Sequence, residues 1–167
     1  MEAIYSKIRD MLKAYYPVLY LTSFEYDRTR QKIVGIINSL KSDNSKQIRL
    51  FNWNCVEGLC EMSENGFRYL GEEYDEPEMT LKFILNDKET SKDIFILEDF
   101  GNYIEEENIK YYIRTIAERA RHTNTHAIIF QKKNYGNKSI PILNIIPRNN
   151  SIITKSNKCR RNNLKTS

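Results

Sequence analysis

No stretch of this 167-residue sequence approaches the roughly 18 consecutive apolar residues that a membrane-crossing helix requires. The first ten residues include Glu2 and Asp10 and lack the basic start and apolar middle of a secretory signal, so no membrane association is expected and the expected compartment is the cytoplasm. Cysteine is scarce. Cys55, Cys60 and Cys159 are too few and too odd in number for a disulfide framework, and the first two lie too far apart for a CxxC pair, so they read as buried or incidental thiols. Glycine is missing where nucleotide chemistry would need it most: none lies between Pro17 and Val34, and no GK[ST], GxSxG, HExxH or GxGxxG occurs anywhere. Acidic residues are absent from residues 132–167, which hold nine Lys and Arg, whereas residues 1–131 hold 17 Lys and Arg against 22 Asp and Glu. The net charge of +4 therefore conceals an acidic body and a basic end.

What is present is a chain apolar enough, at 40% hydrophobic residues, to build one core of ordinary size. Ile4, Ile8, Met11, Leu12 and Tyr15 recur at helical spacing until Pro17, and "PVLYLTS" then reads as a buried strand. Thr22 and Glu25 have the spacing of a capping box for a helix lined by Ile33, Ile36, Ile37 and Leu40. "KSDNSK" reads as the turn after it, "QIRLFNW" as the second strand, "EPEMTLKFILND" as a helix with proline in its first turn and "DIFILED" as the third strand. A helix is expected from about Glu105, with Glu105, Glu106 and Glu107 in its first turn and Arg119 and Arg121 in its last, offsetting the macrodipole. "HAIIF" is the fourth strand and "IPILNII" a candidate fifth.

Short apolar strands separated by helices predict an α/β three-layer sandwich around a mostly parallel sheet of four to five strands, because parallel strands need crossovers that bury both faces. The expected division is one such domain over residues 1–147 and a basic disordered tail over 148–167, which offers little apolar surface to offset ordering entropy. In such sheets ligands sit at the carboxyl ends of the strands, which singles out residues 22–25, 52–54, 98–100 and 131–133 and makes Thr22, Ser23, Glu25, Trp53 and Phe100 the candidate surface. The pair Glu98 and Asp99 closes the third strand as carboxylates close the Mg²⁺-holding strand of a P-loop ATPase. Its partner is missing, since Glu25 and Asp27 stand where the phosphate loop belongs and would repel a triphosphate. A receiver domain fails because Thr22 and Ser23 occupy the place of its first acidic pair. His122 and His126 have no acidic or cysteine ligand nearby to complete a zinc site. No catalytic residue and no metal ligand is assigned.

The order of these segments resembles the N-terminal domain of a family of AAA ATPases from bacteria, cyanobacteria and plastids, of the hypothetical chloroplast reading-frame type. The resemblance covers residues 1 to about 131. Tyr16, Pro17 and Tyr20 lead into Thr22 and Glu25, and Trp53 and Gly58 follow in order. Phe95, Leu97, Asp99 and Phe100 come next, then Arg114, Ala117 and Arg121. It implies a P-loop-like domain with degenerate nucleotide motifs preceding a complete AAA module, and ATP and Mg²⁺ belong to that module, with no cofactor for this chain. The implied role is interaction or regulation, with another protein or the family's own AAA module as partner. The alternative is a small nucleic-acid-binding protein whose basic end neutralises phosphates. The abrupt change of composition at Gln131, into Asn, Lys, Ser and Ile, suggests a shifted or truncated reading frame beyond it.

Overall fold

The computed structural model describes residues 2–14, 16–43, 48–86, 92–119, 125–132 and 142–145. The tail of 148–167, with Lys133, His122 and Arg121, lies outside the described residues. Within them the chain runs α1 (Glu2–Lys13), β1 (Val18–Ser23), α2 (Tyr26–Asp43), β2 (Ile48–Asn54), β3 (Gly58–Ser63), β4 (Gly66–Tyr69), α3 (Pro77–Asn86), β5 (Lys92–Glu98), α4 (Glu107–Arg119), β6 (His126–Lys132) and β7 (Ile142–Ile145). The strands form one sheet in the order β4-β3-β2-β5-β6-β1-β7. The central four, β2, β5, β6 and β1, are parallel, while β3, β4 and β7 join antiparallel at the two flanks.

Strand β5 shows why the sheet needs helices on both sides. Its residues alternate between faces, yet Ile94, Phe95, Ile96 and Leu97 are all buried. Ile94 and Ile96 pack with Leu19, Leu21, Ile128 and Phe130 under α1 and α2, which contribute Ile8, Met11, Leu12, Ile33 and Ile37. Phe95 and Leu97 point the other way, onto Phe51, Trp53 and Ile129 under α3 and α4, which contribute Leu81, Ile84, Ile109 and Ile113. A continuous apolar run is what two covered faces demand. The α/β three-layer architecture inferred from the sequence is therefore the one observed.

Three local expectations are corrected. Thr22 does not cap α2: it lies inside β1, level with Gln131 of β6 and Ile142 of β7, so the strand ladder outcompetes the capping box. The fourth helix starts at Glu107, leaving Glu105 and Glu106 in the turn before it. The candidate fifth strand is present as β7, which joins antiparallel to β1. Between β2 and α3, where no strand was expected, stands the β3–β4 hairpin. Gly58 opens it at φ 65°, and a Cβ there would run into the Asp75 carboxylate, so glycine is required on both counts.

Candidate functional site

The carboxyl ends of β1, β2, β5 and β6 lie side by side, and the chemistry there begins with how β1 hands over to α2. Only Phe24 and Glu25 separate Ser23 from the first residue of the helix, Tyr26. A link of two residues cannot wrap a phosphate in successive backbone amides, as a loop of six or more does. It is closed further by Ser23, whose hydroxyl is buried and 2.8 Å from the Thr29 hydroxyl one turn into the helix. Glu25 is exposed and pairs with Arg28 at 3.1 Å, and Asp27 occupies the first turn, so carboxylates surround the positive end of the helix.

Glu98 ends β5 on the α2 side of the sheet. The Arg30 side chain, one turn beyond Tyr26 on α2, reaches down to it, and Arg30 Nε donates to Glu98 Oε1. Arg30 Nη2 lies 3.5 Å from Asn52 Oδ1 at the end of β2, so one guanidinium spans two strand ends. The pair is largely out of solvent, with side-chain exposures of 28% for Arg30 and 12% for Glu98. Tyr26 completes the wall: its ring stacks on Phe130 with centroids 4.3 Å apart, and its hydroxyl is buried without closing a hydrogen bond of ordinary geometry. Burial, and then the facing Glu98 and Asp99 carboxylates, hold its phenol pKa well above the ordinary tyrosine range, so it stays protonated.

Asp99 has a different task. It sits in the left-handed region at φ 53° and ψ 18°, a conformation that Asp tolerates better than most residues. There its amide donates to Phe130 O at 2.7 Å, and its Oδ1 accepts from Lys132 N at 3.2 Å and from Gln131 Nε2 at 3.4 Å. The carboxylate thus splices the end of β5 to the end of β6. Gly101, two residues on, packs so tightly that a Cβ would stand 2.5 Å from Gln131 Oε1 and 2.9 Å from the Tyr20 hydroxyl.

The expected candidate surface is therefore brought together only in part. Thr22, Ser23, Glu25, Glu98 and Asp99 do gather at the strand ends. Trp53 and Phe100 do not form surface: both are fully buried, their rings meet edge to face at 5.1 Å, and Trp53 Nε1 donates to Tyr74 O at 3.0 Å. Sequence reasoning placed Asn52 and Gln131 among the strand-end segments and missed Arg30 and Tyr26 as partners of Glu98. Arg30 and Tyr26 stand four apart on one helix, but nothing local marks them as facing Glu98, 68 residues beyond Arg30. Among the described residues no three His, Cys, Asp or Glu side chains converge on a point.

A family model described as the SpoVK-like AAA ATPase N-terminal domain matches residues 4–136, most of the chain. The chain belongs to that family. It is similar to the uncharacterized AAA domain-containing protein ycf46 of Pyropia yezoensis, with 29% identity over 127 residues, covering 75% of this chain and 24% of the relative. The ycf46 protein of Guillardia theta is 26% identical over 122 residues, covering 71% of this chain and 22% of its own length. The chain spans about a quarter of the length of these curated relatives. No solved structure matches it significantly. The SpoVK-like N-terminal domain is thus an α/β sheet whose strand-end carboxylates are engaged, in this chain, by its own α2 and β6.

Proposed function

We propose that this SpoVK-like N-terminal domain is a non-catalytic module that acts through contact with protein, its own family's AAA module included, and binds no nucleotide of its own. The observation that carries this reading is the Arg30–Glu98 pair. In a working ATPase strand the carboxylates face Mg²⁺ and water, and the neighbouring cations face phosphate. Here Glu98 takes the guanidinium and Asp99 takes backbone and amide donors of β6. The residues present do not fit a triphosphate. The β1–α2 link is too short to supply amides, the helix start carries Glu25 and Asp27, and no lysine stands in the link.

A sheet without a ligand at its strand ends still has two flanks and two helical layers to offer a partner. Phosphate release from ATP and Mg²⁺ tests the reading. The expected rate is indistinguishable from buffer and unchanged by Glu98→Gln. Turnover that Glu98→Gln abolishes would establish a catalytic carboxylate and end the non-catalytic account.

A further inference from the structure

The flank formed by β4 departs from the rest of the sheet. All four of its residues are exposed, and among the described residues no strand lies beyond it. The hydrogen-bond pattern of its pairing with β3 tells which backbone groups are left over. Leu70 N donates to Leu59 O at 3.0 Å, so those two residues form a bonded pair. Antiparallel pairs alternate between bonded and non-bonded. With Glu61 opposite Arg68 and Met62 opposite Phe67, the bonded pairs are Leu59–Leu70, Glu61–Arg68 and Ser63–Gly66. The N–H and C=O of Phe67 and Tyr69 consequently point outward, away from β3, spaced as a partner strand would need them.

The side chains at the same two positions are the unusual ones. Phe67 is 66% exposed and Tyr69 47% exposed, and both stand on the face of Met62 and Cys60, beyond the cover of α2. An edge strand is ordinarily blunted by charge, and Arg68 on the opposite face does part of that, tied as it is to Glu61. Two exposed aromatics beside outward-facing backbone groups run against that protection. The surrounding charge selects what fits. Residues 57–78 hold eight carboxylates against the single cation Arg68. Of these, Glu64 at the hairpin turn and Glu72 and Glu73 just past the strand are exposed and bracket β4 at its two ends.

We infer that the outer edge of β4 is a docking strand for an extended, lysine- or arginine-rich segment of a partner protein. The segment adds antiparallel or parallel to Phe67–Tyr69, its backbone closing on their outward N–H and C=O groups. Its cations meet Glu64, Glu72 and Glu73, and its aliphatic stems and ammonium groups lie against the two aromatic rings. This rests on the reading of the domain as a protein-contact module and names the surface and the partner chemistry.

The test uses the full chain and two ten-residue probes, one alternating lysine with valine and one alternating glutamate with valine. The lysine probe is expected to bind with a Kd on the order of 100 µM at low salt, weakening at least about tenfold toward 0.5 M salt as the exposed charges are screened. It should slow amide exchange at Phe67 and Tyr69 while leaving that of Leu70, already bonded to Leu59, unchanged. Phe67→Pro removes an outward N–H without touching the β3 ladder, and Phe67→Ser removes the ring. Each should weaken binding about tenfold while thermal unfolding stays near that of the unaltered chain.

Equal binding of both probes, or lysine-probe binding without protection of those two amides, overturns the inference. Protection of both amides before any probe is added also overturns it, by showing that the chain's own basic end or a second copy already covers the edge. Nucleotide binding at the strand ends would instead sink the functional reading while leaving the probe result intact.

Discussion

Arg30→Ala is the substitution that interrogates the strand-end arrangement most sharply. It removes the guanidinium from a carboxylate whose side chain is 12% exposed and which faces a buried phenol, so Glu98 is left charged and poorly solvated beside Asp99. Removing one member of a fully buried pair costs about 3–5 kcal/mol, whereas an exposed pair is worth about 0–1 kcal/mol. Arg30 retains 28% of its side-chain exposure, which admits water to the vacated space and places the expected loss between those limits, at about 2 kcal/mol. For a domain of this size that corresponds to a fall in Tm of about 4–8 °C. Trp53, the single tryptophan, is fully buried and reports unfolding directly. The double variant Arg30→Ala with Glu98→Gln should recover much of the loss, because the stranded charge is gone. A loss below about 0.5 kcal/mol for Arg30→Ala, with no recovery in the double variant, would refute the reasoning by placing the pair among ordinary surface contacts.

Three further expectations follow from groups elsewhere in the sheet. Asp93, 1% exposed and held by both Arg49 Nε and Nη2, should cost about 3–5 kcal/mol when changed to Ala, seen as a lowered urea midpoint. His126 is buried, which together with nearby Lys92 lowers its pKa despite the bond from its Nδ1 to Tyr16 O at 2.7 Å. Its neutral form is therefore favoured in the fold. The stability it contributes is complete above the ordinary histidine pKa of about 6.5 and is lost as pH falls through the depressed folded value, so the unfolding free energy should drop as pH falls below about 6.5, and His126→Gln should flatten that slope. Gly58→Ala combines a left-handed φ of 65° with a collision at the Asp75 carboxylate, and should cost about 1–2 kcal/mol or more while loosening the hairpin, measurable as faster amide exchange in β3 and β4.

The parallel core was legible because burial on both faces writes itself into sequence as an unbroken apolar run, as in Ile94–Leu97, bounded by charge. The hairpin was not, for the same reason inverted. β4 is four residues long and exposed throughout, so the brief alternation of Phe67, Arg68 and Tyr69 is too short to mark a strand, and its strand character comes from pairing with β3. The Asn65–Gly66 dipeptide, with Gly66 at φ 116°, was the local signal available. The Thr22–Glu25 spacing misled because a strand's end is set by its neighbour: β6 continues to Lys132 and holds β1 extended to Ser23 opposite it. Glu98 and Asp99 could be found from the abrupt change of polarity after Leu97. Their engagement by Arg30, Gln131 and Lys132 could not, since those contacts join residues more than 30 positions apart.

Calorimetric titration of the full chain with ATP and Mg²⁺ tests most directly whether the strand ends are closed to nucleotide. With a two-residue link in place of a phosphate loop and the two carboxylates engaged by α2 and β6, no binding tighter than about 1 mM is expected, a free energy of only about −4 kcal/mol. A micromolar Kd that disappears on Asp99→Ala would contradict the account.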